Sequence, residues 1–344
     1  MPTPIRRLSA ALVAACAVVA LWLAQPSVRA AGALPDRLTD KEFRSLITDL
    51  SEPGGSFRSE NLLSNELRLQ FVIPELTRTV TRGRVYLGVG PEQNFTYIAA
   101  VQPAMAFIVD IRRGNLQLQL MYKALFELSA DRVDFAERLF SRSLGSRAPA
   151  HASAQALFDA LASATPSEVA YAKTLAAIDA QLSVTHGFAL SADDRQAVAR
   201  IFRTFFEFGP EINYASSDSD SGAASGTPSR PTYAELMTAT DNDGAAHSYL
   251  ASDEAFSFVK ALEAKNLVVP VVGDFAGPRA LRNVGAYLKS RSAVVSAFYV
   301  SNVEQYLRAQ RVWNTFCGNA ARLPIDDTST FIRAGDRKST RLNS

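Results

Sequence analysis

Gly88, Gly90 and Asp110 form the pattern with the clearest chemical meaning in this 344-residue sequence. Gly88-Val89-Gly90 closes an apolar run from Arg84 and leads into Pro91–Val101, so the glycines lie where a strand hands over to a helix. Small residues there let a ligand approach the backbone, and a helix N-terminus offers N–H groups to an anion or carboxylate. Asp110 lies near the end of the next apolar run, Met105–Ile111, 20 residues after Gly90. That position suits a carboxylate accepting the hydroxyls of a ribose. Glu92 and Asn94, within Gly88-Val-Gly90-Pro-Glu92-Gln93-Asn94, join the candidate ligand contacts. The third glycine of the dinucleotide fingerprint is missing, which counts against a nicotinamide-dependent oxidoreductase. The same residues also fit a tight turn in an α/β protein that binds no nucleotide.

Other candidates are weaker. Arg112 and Arg113 follow Asp110 and read either as contacts for a phosphate or carboxylate or as solvated charge at a helix start, where the helix dipole disfavours cations. His186 and His247 read as loop histidines. Asp241-Asn-Asp243-Gly244 lacks both end ligands of a calcium loop and reads as a turn before the helix capped by Ser252. No Gly-x-Ser-x-Gly elbow, His-Glu-x-x-His or Walker A run occurs. Cys317, between Trp313 and Gly318 and next to Phe316, reads as a buried small apolar residue rather than a nucleophile.

These residues need a frame. Thr39 and Glu42 form a capping box ahead of Phe43, Leu46, Ile47 and Leu50, and helical spacing continues over 62–80 with an interruption at Pro74. Arg84–Gly90, Pro91–Val101 and Met105–Ile111 make a strand, helix and strand of βαβ size. Helices are expected at 115–129, at 131–143 and through 152–208, with Thr165-Pro166-Ser167-Glu168 as a start signal and the phenylalanine-rich 198–208 as core packing. Residues 215–231 read as a flexible loop. A second α/β unit follows: strand 267–272, helix 278–290, strand 293–300 and a last helix at 312–321. Pro270 assigns its strand to a sheet edge or a bulge. The alternation predicts one α/β domain over 31–336, Rossmann-like, with a mostly parallel sheet, N-terminal helices at 39–80 and a helical insertion at about 144–265.

At the glycine turn and Asp110 the sequence resembles class I S-adenosylmethionine-dependent methyltransferases. The resemblance implies S-adenosylmethionine as cofactor, with Gly88 and Gly90 lining its methionine and ribose and Asp110 holding the ribose. Asp274, in Val271-Val272-Gly273-Asp274, matches an acidic motif near the adenine. Asn302, Glu304 and Tyr306, after the strand 293–300, would meet the methyl acceptor, or else simply open a solvated helix. Pro91-Glu92 in the turn and the long helical stretch before Asp274 depart from the methyltransferase pattern. Across Ser51–Phe57, Tyr86–Tyr97, Phe107–Arg113 and Val271–Gly277 the chain more specifically resembles a family of uncharacterised, often exported bacterial proteins. Two alternatives stay open: an exported, non-catalytic ligand-binding or scaffold protein on the same fold, and the oxidoreductase.

Both ends read as outside the fold. Arg6-Arg7, the uncharged run Leu8–Ala24 and Val28-Arg29-Ala30 describe a cleaved export signal over 1–30, giving a periplasmic or secreted protein without a stable membrane span. Val13-Ala14-Ala15-Cys16 offers lipidation at Cys16 as the lesser option. Residues 337–344 (RKSTRLNS) resemble a translated sequencing adapter and carry no function. The whole chain holds 36 basic and 34 acidic residues; without the three arginines of the signal and the three basic residues of the tail, 30 face 34, a charge of −4. A mildly acidic fold gives no electrostatic case for nucleic acid and leaves a small molecule as the expected partner. Two Cys exclude a disulfide scaffold or a cysteine-rich zinc module, and three scattered His leave little room for a His-rich metal site.

Overall fold

The computed structural model describes residues 32–57, 59–145, 151–216 and 230–334. The expected signal, Cys16, the tail 337–344 and most of the loop 215–231 lie outside them. The first helix, α1 (Asp40–Leu50), starts at the expected capping box: the Thr39 hydroxyl accepts from the Glu42 N–H and the Glu42 carboxylate accepts from the Thr39 N–H. The helix expected over 62–80 is confined to its second half, a 3-10 turn (Leu69–Val72) running into α2 (Ile73–Thr79). Pro74 gives the reason. It occupies the first turn of α2, where its missing N–H leaves no bond unmade, so it begins a helix rather than kinking one. Residues 59–68 are thereby left as irregular chain crossing the end of the sheet.

The order then runs β1 (Val85–Gly88), α3 (Gln93–Val101), β2 (Met105–Asp110), α4 (Arg113–Leu128), α5 (Arg132–Phe140), α6 (Ala154–Ser163), α7 (Glu168–Ala180, closing in a π turn), α8 (Ala192–Phe208), α9 (Tyr233–Thr238), α10 (Asp253–Ala264), β3 (Val268–Val272), α11 (Ala280–Lys289), β4 (Val295–Ser301), α12 (Val303–Ala309), α13 (Trp313–Ala320) and β5 (Thr330–Arg333). The start signal at 165–168 works two residues later than expected. Ser167 caps α7 through the Ala170 N–H, and Pro166 pairs in a bridge with Arg142 outside the helix. Neither α12 nor β5 carries enough apolar periodicity to be legible; β5 has one fully buried residue in four.

All five strands are parallel, in the order β3-β2-β1-β4-β5. Both faces are covered, as a parallel sheet requires. Successive residues of β4 show it: Phe298 meets Phe275, next to Phe316 of α13, while Tyr299 meets Tyr97 of α3. Pro270 sits on edge strand β3, as expected. The Val272 N–H, two residues on, points outward to the Ser51 hydroxyl, so the N–H that Pro270 lacks belongs to the unpaired edge. The long excursion between β2 and β3 is held by an aromatic core: Phe126, Phe135, Tyr249 and Phe256 stack within one cluster, and Phe205 of α8 packs on Tyr122. The fold is Rossmann-like α/β. No helix among the described residues is long and apolar enough to cross a membrane.

Candidate functional site

The chain leaves β1 for β2 and β3 on one side and reaches β4 and β5 on the other, so the strand order switches between β1 and β4. In open parallel sheets that switch opens a crevice at the carboxyl ends of the strands. A cavity of about 530 Å³ lies there, lined by Gly90 and Pro91 after β1, Asp110 and Arg112 after β2, Asp274 and Phe275 after β3, and Ser301 and Asn302 after β4. Its size falls within the range of small-molecule sites.

The glycine turn is fixed from behind. Asn94 Nδ2 donates to the carbonyls of Val89, Gly90 and Pro91 at 2.8–3.2 Å, and its Oδ1 accepts from the Tyr86 hydroxyl at 2.9 Å. Gln119 of α4 also donates to the Gly90 carbonyl. Gly90, at φ +81°, faces the cavity in the left-handed region that favours glycine. Gly88 does not line the cavity. A Cβ there would lie 1.9 Å from Asn94 Oδ1 and 2.9 Å from the Tyr86 ring. It therefore performs the close strand–helix packing that the missing third glycine would have performed. Gly88→Ala is expected to cost about 1–3 kcal/mol by overpacking, read as a lower urea midpoint; an unchanged midpoint would mean that Asn94 can move aside without loss.

Glu92, too, stands behind the wall. It is fully buried, its carboxyl accepts from the Ser64 N–H at 3.1 and 3.3 Å, and burial pushes its pKa up to about 8. Glu304 pairs with Arg333 of β5 at 2.9 Å and does not line the cavity. Of the sequence candidates, Gly90, Asp110, Arg112, Asp274, Asn302 and Tyr306 meet at one cavity, and Gly88, Glu92, Asn94 and Glu304 do not.

Arg112 lines the cavity, as a ligand contact would, and is not the solvated charge of the other reading. It is buried and clamps Asp110: its backbone N–H and Nε reach Oδ1 at 2.9 Å, and Nη2 reaches Oδ2 at 2.7 Å. Its Nη1 donates to the Glu60 carbonyl. The pair thus ties β2 to the irregular segment that walls the cavity with Ser56, Phe57, Ser59 and Asn61. An ionised carboxylate has about four acceptor positions, so three bonds from Arg112 leave Asp110 one for a ligand hydroxyl. Arg113 is largely exposed and pairs with Asp194.

Ser51–Phe57 acts as a strap across the strand ends. The Glu52 N–H bonds the Val272 carbonyl, the Gly55 N–H bonds the Ile111 carbonyl, and the Glu52 carboxylate accepts from the Asp274 N–H. Asp274 Oδ1 accepts from the Ala276 N–H, closing its own turn. Asn302 opens α12 without a side-chain cap, and Tyr306 packs edge-on against Phe57 at 5.1 Å.

The sequence reading missed Glu66. Expected on a helix, it instead lies in the irregular segment and lines the cavity, where Oε1 accepts from the Tyr299 hydroxyl at 2.7 Å and the Ser301 hydroxyl at 2.5 Å. Gln93 Nε2 donates to the Tyr299 oxygen at 3.3 Å. Burial raises the Glu66 pKa, and the two hydroxyl donors offset part of that rise. No local signal marks a carboxylate that gains its partners 233 and 235 residues away. The two histidines serve elsewhere: His247 pairs with Asp241, and His186 lies between Asp40 and Glu127. Cys317, expected buried, is exposed. Among the described residues no group of His, Cys, Asp and Glu could hold a metal ion.

A family model described as a domain of unknown function, DUF7790, matches residues 62–205 and 215–343, a span that includes every strand of the sheet and most of the cavity wall. No curated protein matches the chain.

Proposed function

The chain belongs to the DUF7790 family, and we propose that in it the cavity binds S-adenosylmethionine or a related nucleoside and serves methyl transfer. One observation carries this reading: Gly90, Asp110 and Asp274, at the tips of three adjacent parallel strands, open onto the same cavity. The residues fit such a molecule. Asp110 keeps one acceptor position for a ribose hydroxyl, and Asp274 and Phe275 offer a carboxylate and an aromatic surface at the β3 end. Gly90 brings bare backbone to the cavity wall, with Gln93 Nε2 3.1 Å from where a Cβ would stand. When bound, S-adenosylmethionine supplies a methyl group activated by a positively charged sulfur. The chain's own part is to hold the two reactants in line and exclude water. Asn302 and Tyr306, beside the β4 tip, are the residues placed to meet the acceptor.

Calorimetric titration of the purified full chain with S-adenosylmethionine, S-adenosylhomocysteine and NAD tests the reading. Saturable binding of the first two and none of NAD is expected, with at least roughly tenfold weaker binding in Gly90→Val, whose side chain would press on Gln93 at the cavity wall and strain the left-handed turn. Failure of both nucleosides to bind overturns it. A second reading, an exported binding protein without transfer chemistry, is favoured by the degree to which Arg112 occupies Asp110. Export itself belongs to this proposal, and mass spectrometry of the mature N-terminus separates cleavage after Ala30 from lipidation at Cys16.

A further inference from the structure

We infer that Glu66 forms a subsite for a cationic centre at the β4 end of the cavity, and that in the nucleoside reading, on which this rests, the cation is the sulfonium of S-adenosylmethionine. Two observations meet here. Along the strand tips the cavity runs from Asp274 at β3, past Asp110 at β2 and Gly90 at β1, to Glu66 against β4. A ligand with its base near Asp274 and its ribose near Asp110 extends its remaining, reactive end toward Glu66. Secondly, Glu66 lies half-buried in the cavity wall with two neutral hydroxyl donors and, among the described residues, no ion pair. A carboxylate partly shielded from water attracts a cation more strongly than one in open solvent, so a permanent cation in the cavity supplies the partner that the neighbouring hydroxyls do not.

The surrounding groups favour this assignment. On β4 the carboxyl meets Tyr299 and Ser301; from α3 and β1 it feels Glu92, Tyr97 and Tyr86, all buried. Across the cavity, Asp110 and Arg112 neutralise each other, Asp274 adds a further carboxylate, and the Arg230 guanidinium lies over the Tyr214 ring at 4.7 Å. In methyl transfer a lone pair of a nucleophilic acceptor would form the new bond to the methyl carbon as the sulfur–methyl bond breaks and its electron pair stays on sulfur, leaving a neutral thioether, so a carboxylate at this point would hold the methyl donor and release the demethylated product.

The test compares S-adenosylmethionine with S-adenosylhomocysteine on the full chain by calorimetry, from mildly acidic to mildly alkaline pH. The ratio of their affinities is expected to rise roughly tenfold as Glu66 ionises, because a cation that lowers its pKa by one unit gains that factor. Proton release should accompany binding of the sulfonium only. Glu66→Gln should flatten the ratio while leaving the homocysteine form's affinity unchanged, and Glu92→Gln should leave the rise in place. Tyr299→Phe removes one donor to the carboxylate and should move the rise to higher pH, which a purely structural role would not do. Equal affinities at every pH, or a rise that survives in Glu66→Gln, overturn the inference while the nucleoside reading stands. Binding of neither molecule overturns both.

Discussion

Asp110→Ala should destabilise the fold by about 3–5 kcal/mol, the range for breaking a buried ion pair by removing one partner. Asp110 and Arg112 are 6% and 9% exposed in their side chains, so the substitution leaves a guanidinium buried against the Glu60 carbonyl alone. Arg112→Met should cost a similar amount for the reciprocal reason. The double variant Asp110→Ala/Arg112→Met should recover much of the loss, because two apolar groups leave no unpaired charge. Urea unfolding of the four proteins measures the coupling; strictly additive losses would show that the two side chains do not act as a pair. The outcome also governs how ligand binding is interpreted. A ligand lost from Asp110→Ala does not by itself identify a ribose contact, since the same change frees Arg112, whose bond to the Glu60 carbonyl holds the segment that carries Ser59 and Asn61 in the cavity wall. Gly90 and Asp274, which hold no buried charge in place, report on the ligand more directly.

How far the sequence reveals this site depends on how local each contact is. The βαβ unit and the alignment of Gly90 with Asp110 are legible because a glycine turn and an apolar strand carry their signals within a few residues. The role of Gly88 is legible in part: its position at a strand end is visible, but that it makes room for Asn94 depends on a side-chain rotamer. Arg112 lies two residues from Asp110, yet spacing alone does not distinguish a free cation from one folded back on the preceding carboxylate. Glu66 is invisible for a different reason. The apolar spacing of Leu63, Leu67 and Phe71 fits a helix, but Pro74 sets the helix start further along, and the irregular chain before it takes its shape from β4 and α3. Non-local partners override local periodicity at the point where the cavity is formed.

The same principle governs a polar cluster away from the cavity lining. His186, at the end of α7, bonds Asp40 of α1 at 2.6 Å and Glu127 of α4 at 2.5 Å. Lys123 bonds Glu127 at 2.7 Å and the Glu263 carbonyl of α10 at 2.5 Å. Four helices therefore meet through charges. Burial works to lower the His186 pKa, but the bonds to Glu127 and Asp40 raise it overall. Burial works to raise Glu127, but His186 and Lys123 bring it below its ordinary value. Glu263, fully buried, is pushed up to about 8 by desolvation. The signs then fix a pH profile. The Glu127 contribution is present above the ordinary carboxylate pKa of about 4.3 and is lost as pH falls through its depressed value. The His186 contribution is complete below about 6.5 and is lost as pH rises through its raised value. Glu263 holds its proton in the folded state while the unfolded chain has released it, so its effect also lowers stability between the ordinary carboxylate pKa and about 8. Urea stability should therefore peak in mildly acidic solution and decline through neutrality. His186→Gln should remove the part of the decline above about 6.5, and Glu263→Gln the part that begins at lower pH. Lys123→Met, which leaves Glu127 with His186 as its remaining cationic partner, should cost about 3 kcal/mol at neutral pH, the lower end for breaking a buried pair. A stability flat from pH 5 to pH 8, roughly the interval in which an unperturbed histidine titrates, would show that these four helices are held by their apolar contacts alone.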